Sequence, residues 1–141
     1  DVEGVKDAEL IFIQMEDLRE FNDTYGMSVG DESVIGTAGC VKRAGALAGE
    51  EVRCFRVSGN EFAAVMTGQD GGETFEKLLV QEVCRYNGMV TGRGRLHLSC
   101  GSSSLRKQDG SRRTVSDWMA CANQNLQKNR DSMRGGGRDD V

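Results

Sequence analysis

Val52-Arg53-Cys54-Phe55-Arg56-Val57-Ser58-Gly59-Asn60-Glu61-Phe62-Ala63-Ala64-Val65-Met66-Thr67 is the stretch from which the architecture can be read. Val52 to Val57 and Phe62 to Thr67 are strand-like runs, and Ser58-Gly59-Asn60-Glu61 lies between them. Gly and Asn tolerate positive φ, so the spacing predicts an antiparallel hairpin turning at Gly59-Asn60. Upstream, Glu9 to Glu16 is a short apolar run bounded by acids, which predicts a buried strand. Asp17 to Phe21 predicts a brief helix with Asp17 near its start, and Asn22 to Gly26 a turn cluster. Ser28 to Ala48 places Val34, Ala38, Val41 and Leu47 at helical spacing. Gly36, Gly39 and Gly45 weaken that helix by about 1 kcal/mol each relative to Ala, so packing must compensate.

Downstream, Gly71-Gly72 marks a break and Glu73 to Tyr86 a helix through Phe75, Leu78, Leu79 and Val83. Leu96 to Ser102 reads as a strand and Leu105 to Arg113 as a polar, exposed loop. Thr114 to Arg130 is a last helix, capped by Thr114 or Ser116, with Trp118, Met119, Ala122 and Leu126 inward. The Gly-rich residues 135–141 read as a loose tail after a single domain spanning 1–134. The order predicts an α+β fold of the ferredoxin-like type: a central mixed, largely antiparallel sheet flanked by helices.

The 141 residues carry a formal net charge of -4, which argues against general nucleic-acid binding. The segment from Arg112 to Arg138 is mostly basic, and a basic end serves a phosphate ligand even on an acidic chain. Read as composition alone, the same segment is better taken as a solvated helix face. No run approaches the roughly 18 apolar residues of a membrane span. Asp1-Val2-Glu3-Gly4 lacks the basic-then-apolar pattern of a secretory signal, so the expected setting is cytoplasmic. The five cysteines form no C-x-x-C pair and sit in apolar patterns, which predicts reduced core thiols. The single histidine, His97, alternates with Leu96 and Leu98 and has no triad partner motif.

Two segments about 35 residues apart carry a family resemblance. Phe21-Asn22-Asp23-Thr24-Tyr25-Gly26 followed by Gly30-Asp31-Glu32, and Arg56-Val57-Ser58-Gly59-Asn60-Glu61-Phe62, together resemble GGDEF domains, the catalytic modules of diguanylate cyclases. Leu98-Ser99-Cys100-Gly101 resembles the family's S-x-G strand end, and Ala122 to Arg134 its last helix. The resemblance implies the palm-type nucleotidyl cyclase fold. It also implies a reaction in which two domains bring two GTP molecules face to face and make cyclic di-GMP, with magnesium between phosphates and two carboxylates.

Carried over residue by residue, the resemblance makes Asn22 and Asp31 the guanine readers. A carboxylate facing two N–H groups prefers guanine, because adenine's edge lacks that donor pair. Read by themselves, Asn22 and Asp31 serve equally as caps of a turn and a helix. The resemblance makes Gly59 the residue whose missing bulk lets phosphate approach, and Arg130 and Arg134, four apart, the phosphate-holding cations. Asn60 and Glu61 stand at the catalytic motif positions. The first metal-binding aspartate, eight residues before Asn22, is replaced by Gln14, and the second metal ligand by Asn60.

Both metal carboxylates are thus neutral amides. Magnesium prefers anionic oxygens, and each ~1.4 kcal/mol of lost stabilisation is tenfold in rate, so no metal is expected. Glu16 and Glu61 are the candidates to hold a displaced ion. Ser58 replaces the motif's first glycine, and Gly49-Glu50-Glu51-Val52 stands where an inhibitory R-x-x-D would end. Three functions follow as expectations. The first is a catalytically impaired regulatory module that binds GTP, or a protein partner or second copy through the GGDEF face. The second is an active cyclase with an altered Mg2+ site. The third is a structural scaffold.

Overall fold

The computed structural model describes residues 7–16, 18–48, 52–67, 71–90 and 95–136, excluding the side chains of Phe21 and of 131–136. The elements run β1 (Ala8–Met15), α1 (Leu18–Tyr25), α2 (Met27–Ala48), β2 (Val52–Ser58), β3 (Glu61–Thr67), α3 (Gly71–Met89), β4 (Leu98–Ser104) and α4 (Val115–Gly136). The sheet order is β2-β3-β1-β4. All three pairings are antiparallel, so the sheet expected to be largely antiparallel is wholly so. The hairpin's own connection and two helical crossovers account for this order, as in ferredoxin-like folds.

β1 is central and buried on both faces, so its apolar run is nearly continuous. Ile11, Ile13 and Met15 pack on α2, α3 and the inner face of β3. Leu10 and Phe12 face α4, meeting Trp118, Ala122 and Leu126. By the same alternation Gln14 falls on the α4 face at the strand's end.

Close approach of α4 to β4 depends on Gly101. A Cβ there would overlap the backbone at Ala122 and Leu126. β4 is an edge strand, and α4 closes its outer carbonyls. Asn125 Nδ2 donates to Ser102 O at 2.7 Å and Asn129 Nδ2 to Cys100 O at 2.5 Å. Four helical residues rise about 6 Å and two strand residues about 6.7 Å, so one helix face matches the strand's repeat. Trp118 Nε1 adds a bond to Ser103 O at 2.8 Å.

Several expectations change. Asn22 to Gly26 is not a turn: α1 continues to Tyr25, and Gly26 alone (φ 94°) forms the corner before α2. Asp17 lies outside the described residues, as do 49–51. Leu47 and Met119 are exposed, whereas Leu105, assigned to a polar loop, is buried. That loop folds on itself through an Arg106–Arg112 bridge, with Ser111 N and Oγ donating to Asp109. α4 is capped by Thr114, whose Oγ1 accepts from Asp117 N at 3.1 Å. The helix extends through Gly136, into the stretch read as a tail; 137–141 lie outside the described residues.

All five cysteines are free, but Cys84 is exposed rather than in the core. Burial raises the thiols of Cys40 and Cys54, and pushes Cys100 up to about 12 with help from the Glu76 charge. No helix among the described residues is long and apolar enough to cross a membrane.

Candidate nucleotide site

Gln14, Asn60 and Glu61 meet where β1 ends. Gln14 pairs with Glu61 of β3 and Ser99 of β4. Residues directly opposite share a sheet face, so all three project toward the α4 side. One step further along the chain, the β2–β3 turn closes onto β1. Met15 N donates to Asn60 O at 2.8 Å, and Asn60 Nδ2 donates back to Met15 O at 3.3 Å. Arg56 holds the turn from below, with Nε donating to Ser58 O at 3.2 Å and Nη2 to Gly59 O at 2.9 Å.

Gly59 does not use the positive φ expected of it; the positive-φ glycines among the described residues are Gly26 and Gly110. A Cβ at Gly59 would meet nothing within 4 Å. The turn therefore does not demand glycine for its backbone, and its outer face is open. Ser58 replaces the motif glycine without crowding: its hydroxyl donates to Glu61 Oε1 at 3.4 Å.

Glu16 follows β1. Its backbone N–H donates to His97 O at 2.8 Å. Its carboxylate meets Arg130 of α4, with Nε 2.9 Å from Oε2 and 3.1 Å from Oε1. The side chains are 20% (Arg130) and 16% (Glu16) exposed, so the pair is largely removed from water. The geometry favours a hydrogen bond to Oε1 and leaves Oε2 buried without one. Arg130 Nη1 also donates to Gln127 Oε1 at 3.2 Å. Arg134 lies one turn further along α4, and its side chain is outside the described residues.

Asn22 meets α2 across the Gly26 corner at Gly30, the residue before Asp31. Asn22 sits on α1 with its Oδ1 against Gly30 of α2, where any Cβ would overlap it. That oxygen is buried and has no hydrogen-bond partner. Asp31, the next residue along α2, is exposed. Gly30 is thus the residue that lets Asn22 pack against α2 one position before Asp31. Between β1, α1, α2 and the segment before β4 lies a cavity of about 200 Å³, lined by Glu16, Leu18, Tyr25, Ser33 and His97 among others. His97, read as a plain strand histidine, precedes β4 and is exposed at this cavity.

The two rescue candidates for metal each have a partner within the chain. Glu16 is committed to Arg130, and Glu61 accepts from Ser58. Among the described residues no three His, Cys, Asp or Glu side chains form a group that could hold a metal ion.

Comparison with known proteins places this arrangement. A family model described as "Diguanylate cyclase, GGDEF domain" matches residues 3–136. No curated protein matches the chain. Among solved structures, the GGDEF domain of DgcB from Caulobacter crescentus, in complex with c-di-GMP, superposes with a TM-score of 0.73 at 24% identity, covering 95% of this chain and 76% of that one. The active GGEEF domain of a diguanylate cyclase from Vibrio cholerae gives 0.72 at 25% identity, covering 93% and 79%. Diguanylate cyclase SiaD from Pseudomonas aeruginosa, solved with its activator SiaC, gives 0.71 at 21%, covering 90% and 47%. The family match spans nearly the whole chain, the fold agrees, and the motif turn lies against the end of β1: this chain belongs to the GGDEF family of diguanylate cyclase domains.

Proposed function

We propose that this chain is a catalytically impaired GGDEF-type domain that acts by binding a guanine nucleotide as a regulatory ligand. The observation that carries the reading is the Asn22 corner. Native proteins leave few buried polar atoms unpaired, and those that persist call for an explanation. Asn22 Oδ1 is such an atom, and it packs on Gly30, whose chain neighbour Asp31 is exposed. An amide next to a carboxylate is a donor and acceptor set suited to guanine's edge and unsuited to adenine's. Arg130, with Arg134 one helical turn beyond, supplies cations toward the phosphate end.

Catalysis is the part of the family's function that the residues do not support. Gln14 and Asn60 offer neutral oxygens where a hard dication needs anionic ones. Asn60 uses its amide N–H to bind the Met15 carbonyl, and Glu16 is neutralised by Arg130. The residues present do not fit a resident magnesium ion.

Titration calorimetry of the purified domain with GTP and ATP tests the reading. GTP binds more tightly than ATP, and Asp31→Ala erases the difference. Equal or absent binding of the two overturns nucleotide recognition and leaves a scaffold. Magnesium-dependent conversion of GTP to cyclic di-GMP by the unmodified chain, identified by mass, overturns the impaired reading in favour of an active cyclase.

A further inference from the structure

We propose that the phosphate end of this site works without divalent metal: the Arg130 guanidinium is the built-in counter-cation, and Glu16 is the internal anion that a phosphate must displace. The proposal deepens the nucleotide-site reading and rests on it for location only.

Three observations converge. First, the Asn60 amide bridges to the Met15 carbonyl by donating a hydrogen bond at 3.3 Å. A carboxylate at that position would face the carbonyl as acceptor to acceptor and would call for a bridging cation or donor. The amide removes that need. Second, Glu16 and Arg130 form an ion pair across 114 residues of sequence, only 16% and 20% exposed. Shielded from water, its attraction is stronger than that of a surface pair. Third, both Glu16 oxygens meet the guanidinium through Nε, 2.9 Å from Oε2 and 3.1 Å from Oε1, rather than across its fork, where Nη1 donates to Gln127 Oε1. The fork is the part of arginine that takes two phosphate oxygens at once. An anion with better geometry can therefore exchange for Glu16.

The ligand chemistry is a polyphosphate, whether free or as the tail of a nucleotide. The test uses sodium tripolyphosphate and guanosine as separate probes in EDTA, by titration calorimetry. Removing the competing carboxylate with Glu16→Gln tightens tripolyphosphate binding by about tenfold or more. Adding Arg130→Ala to that variant erases the gain, and guanosine binds equally to wild type and Glu16→Gln. In unmodified protein, saturating tripolyphosphate moves the Arg130 Nε–H NMR resonance, a readout that needs no variant to fold. The proposal is overturned by an unmoved resonance, by a Glu16→Gln gain that survives Arg130→Ala, or by binding that appears only with Mg2+. Guanosine separates the two claims. If guanosine fails to bind while tripolyphosphate behaves as stated, the guanine reading falls and the Arg130–Glu16 exchange stands. If tripolyphosphate fails while guanosine binds, the reverse holds; if neither binds, both fall.

Discussion

The double substitution Gln14→Asp with Asn60→Asp restores the charges of a metal site, and the structure says what that costs before any metal arrives. Asn60→Asp removes the Nδ2 bond to Met15 O, worth about 1 kcal/mol net. It also sets a carboxylate against that carbonyl. Gln14→Asp places a carboxylate directly opposite Glu61, a cross-strand like-charge pair costing up to about 1 kcal/mol. A total near 2 kcal/mol lowers Tm by about 6 to 8 °C in a domain of this size. A dication between the new carboxylates reverses the loss: at one hundred times its Kd it contributes about 2.7 kcal/mol. Calorimetric scans in EDTA and in Mg2+, at matched ionic strength, should show a destabilised variant that recovers with metal. The unmodified chain should show no metal response. Production of cyclic di-GMP by the metal-loaded variant would mean that the other residues of the machinery are competent. A wild-type Tm that rises with Mg2+ as much as the variant's refutes the reasoning, because the amides would then be adequate ligands. A variant indifferent to Mg2+ refutes it too, because the two positions would not share an ion.

Gly30→Ala pushes a Cβ into Asn22 Oδ1, while the helix gains about 1 kcal/mol of propensity. The two effects oppose in stability, so Tm changes little while guanosine affinity falls about tenfold; calorimetry and thermal melts read them separately. Gly101→Ala meets backbone rather than a movable side chain, and α4 must shift at a cost of about 1 to 3 kcal/mol, read as a fall in denaturant midpoint. Glu76 has its carboxyl held above the ordinary 4.5, by burial first and then by Glu9 and Glu73. The folded state thus holds the proton more tightly than the unfolded one, and stability falls as pH rises from 4.5 through the folded value. Glu76→Gln removes that slope. Its Tm exceeds wild type at neutral pH, and the difference closes on acidification; a difference that widens in acid contradicts the assignment.

Periodicity made the strands and long helices legible, because burial on one or two faces writes itself into local order. The errors fall where a partner distant in sequence decides. Asn22 to Gly26 carries five residues with turn character, yet it is helical because α1 packs on α2 and one glycine suffices for the corner. Leu47 and Met119 sit at plausible inward spacings, but a helix is buried only where something covers it. The site divides in the same way. Gln14, Asn22, Asp31 and Asn60 are assigned from motif spacing, and each lies on an element or turn whose position the fold sets. That Asn60 would donate to β1, and that Glu16 would spend its charge on Arg130, had no local signal: both contacts join residues more than forty positions apart. Glu16, one of the two residues thought free to hold a displaced metal, is held by the second of these contacts. Chemistry assigned from residue type alone therefore overstated what Glu16 is available to do. Its charge is already balanced, and any ligand at this end of the site must bind in competition with the chain's own ion pair.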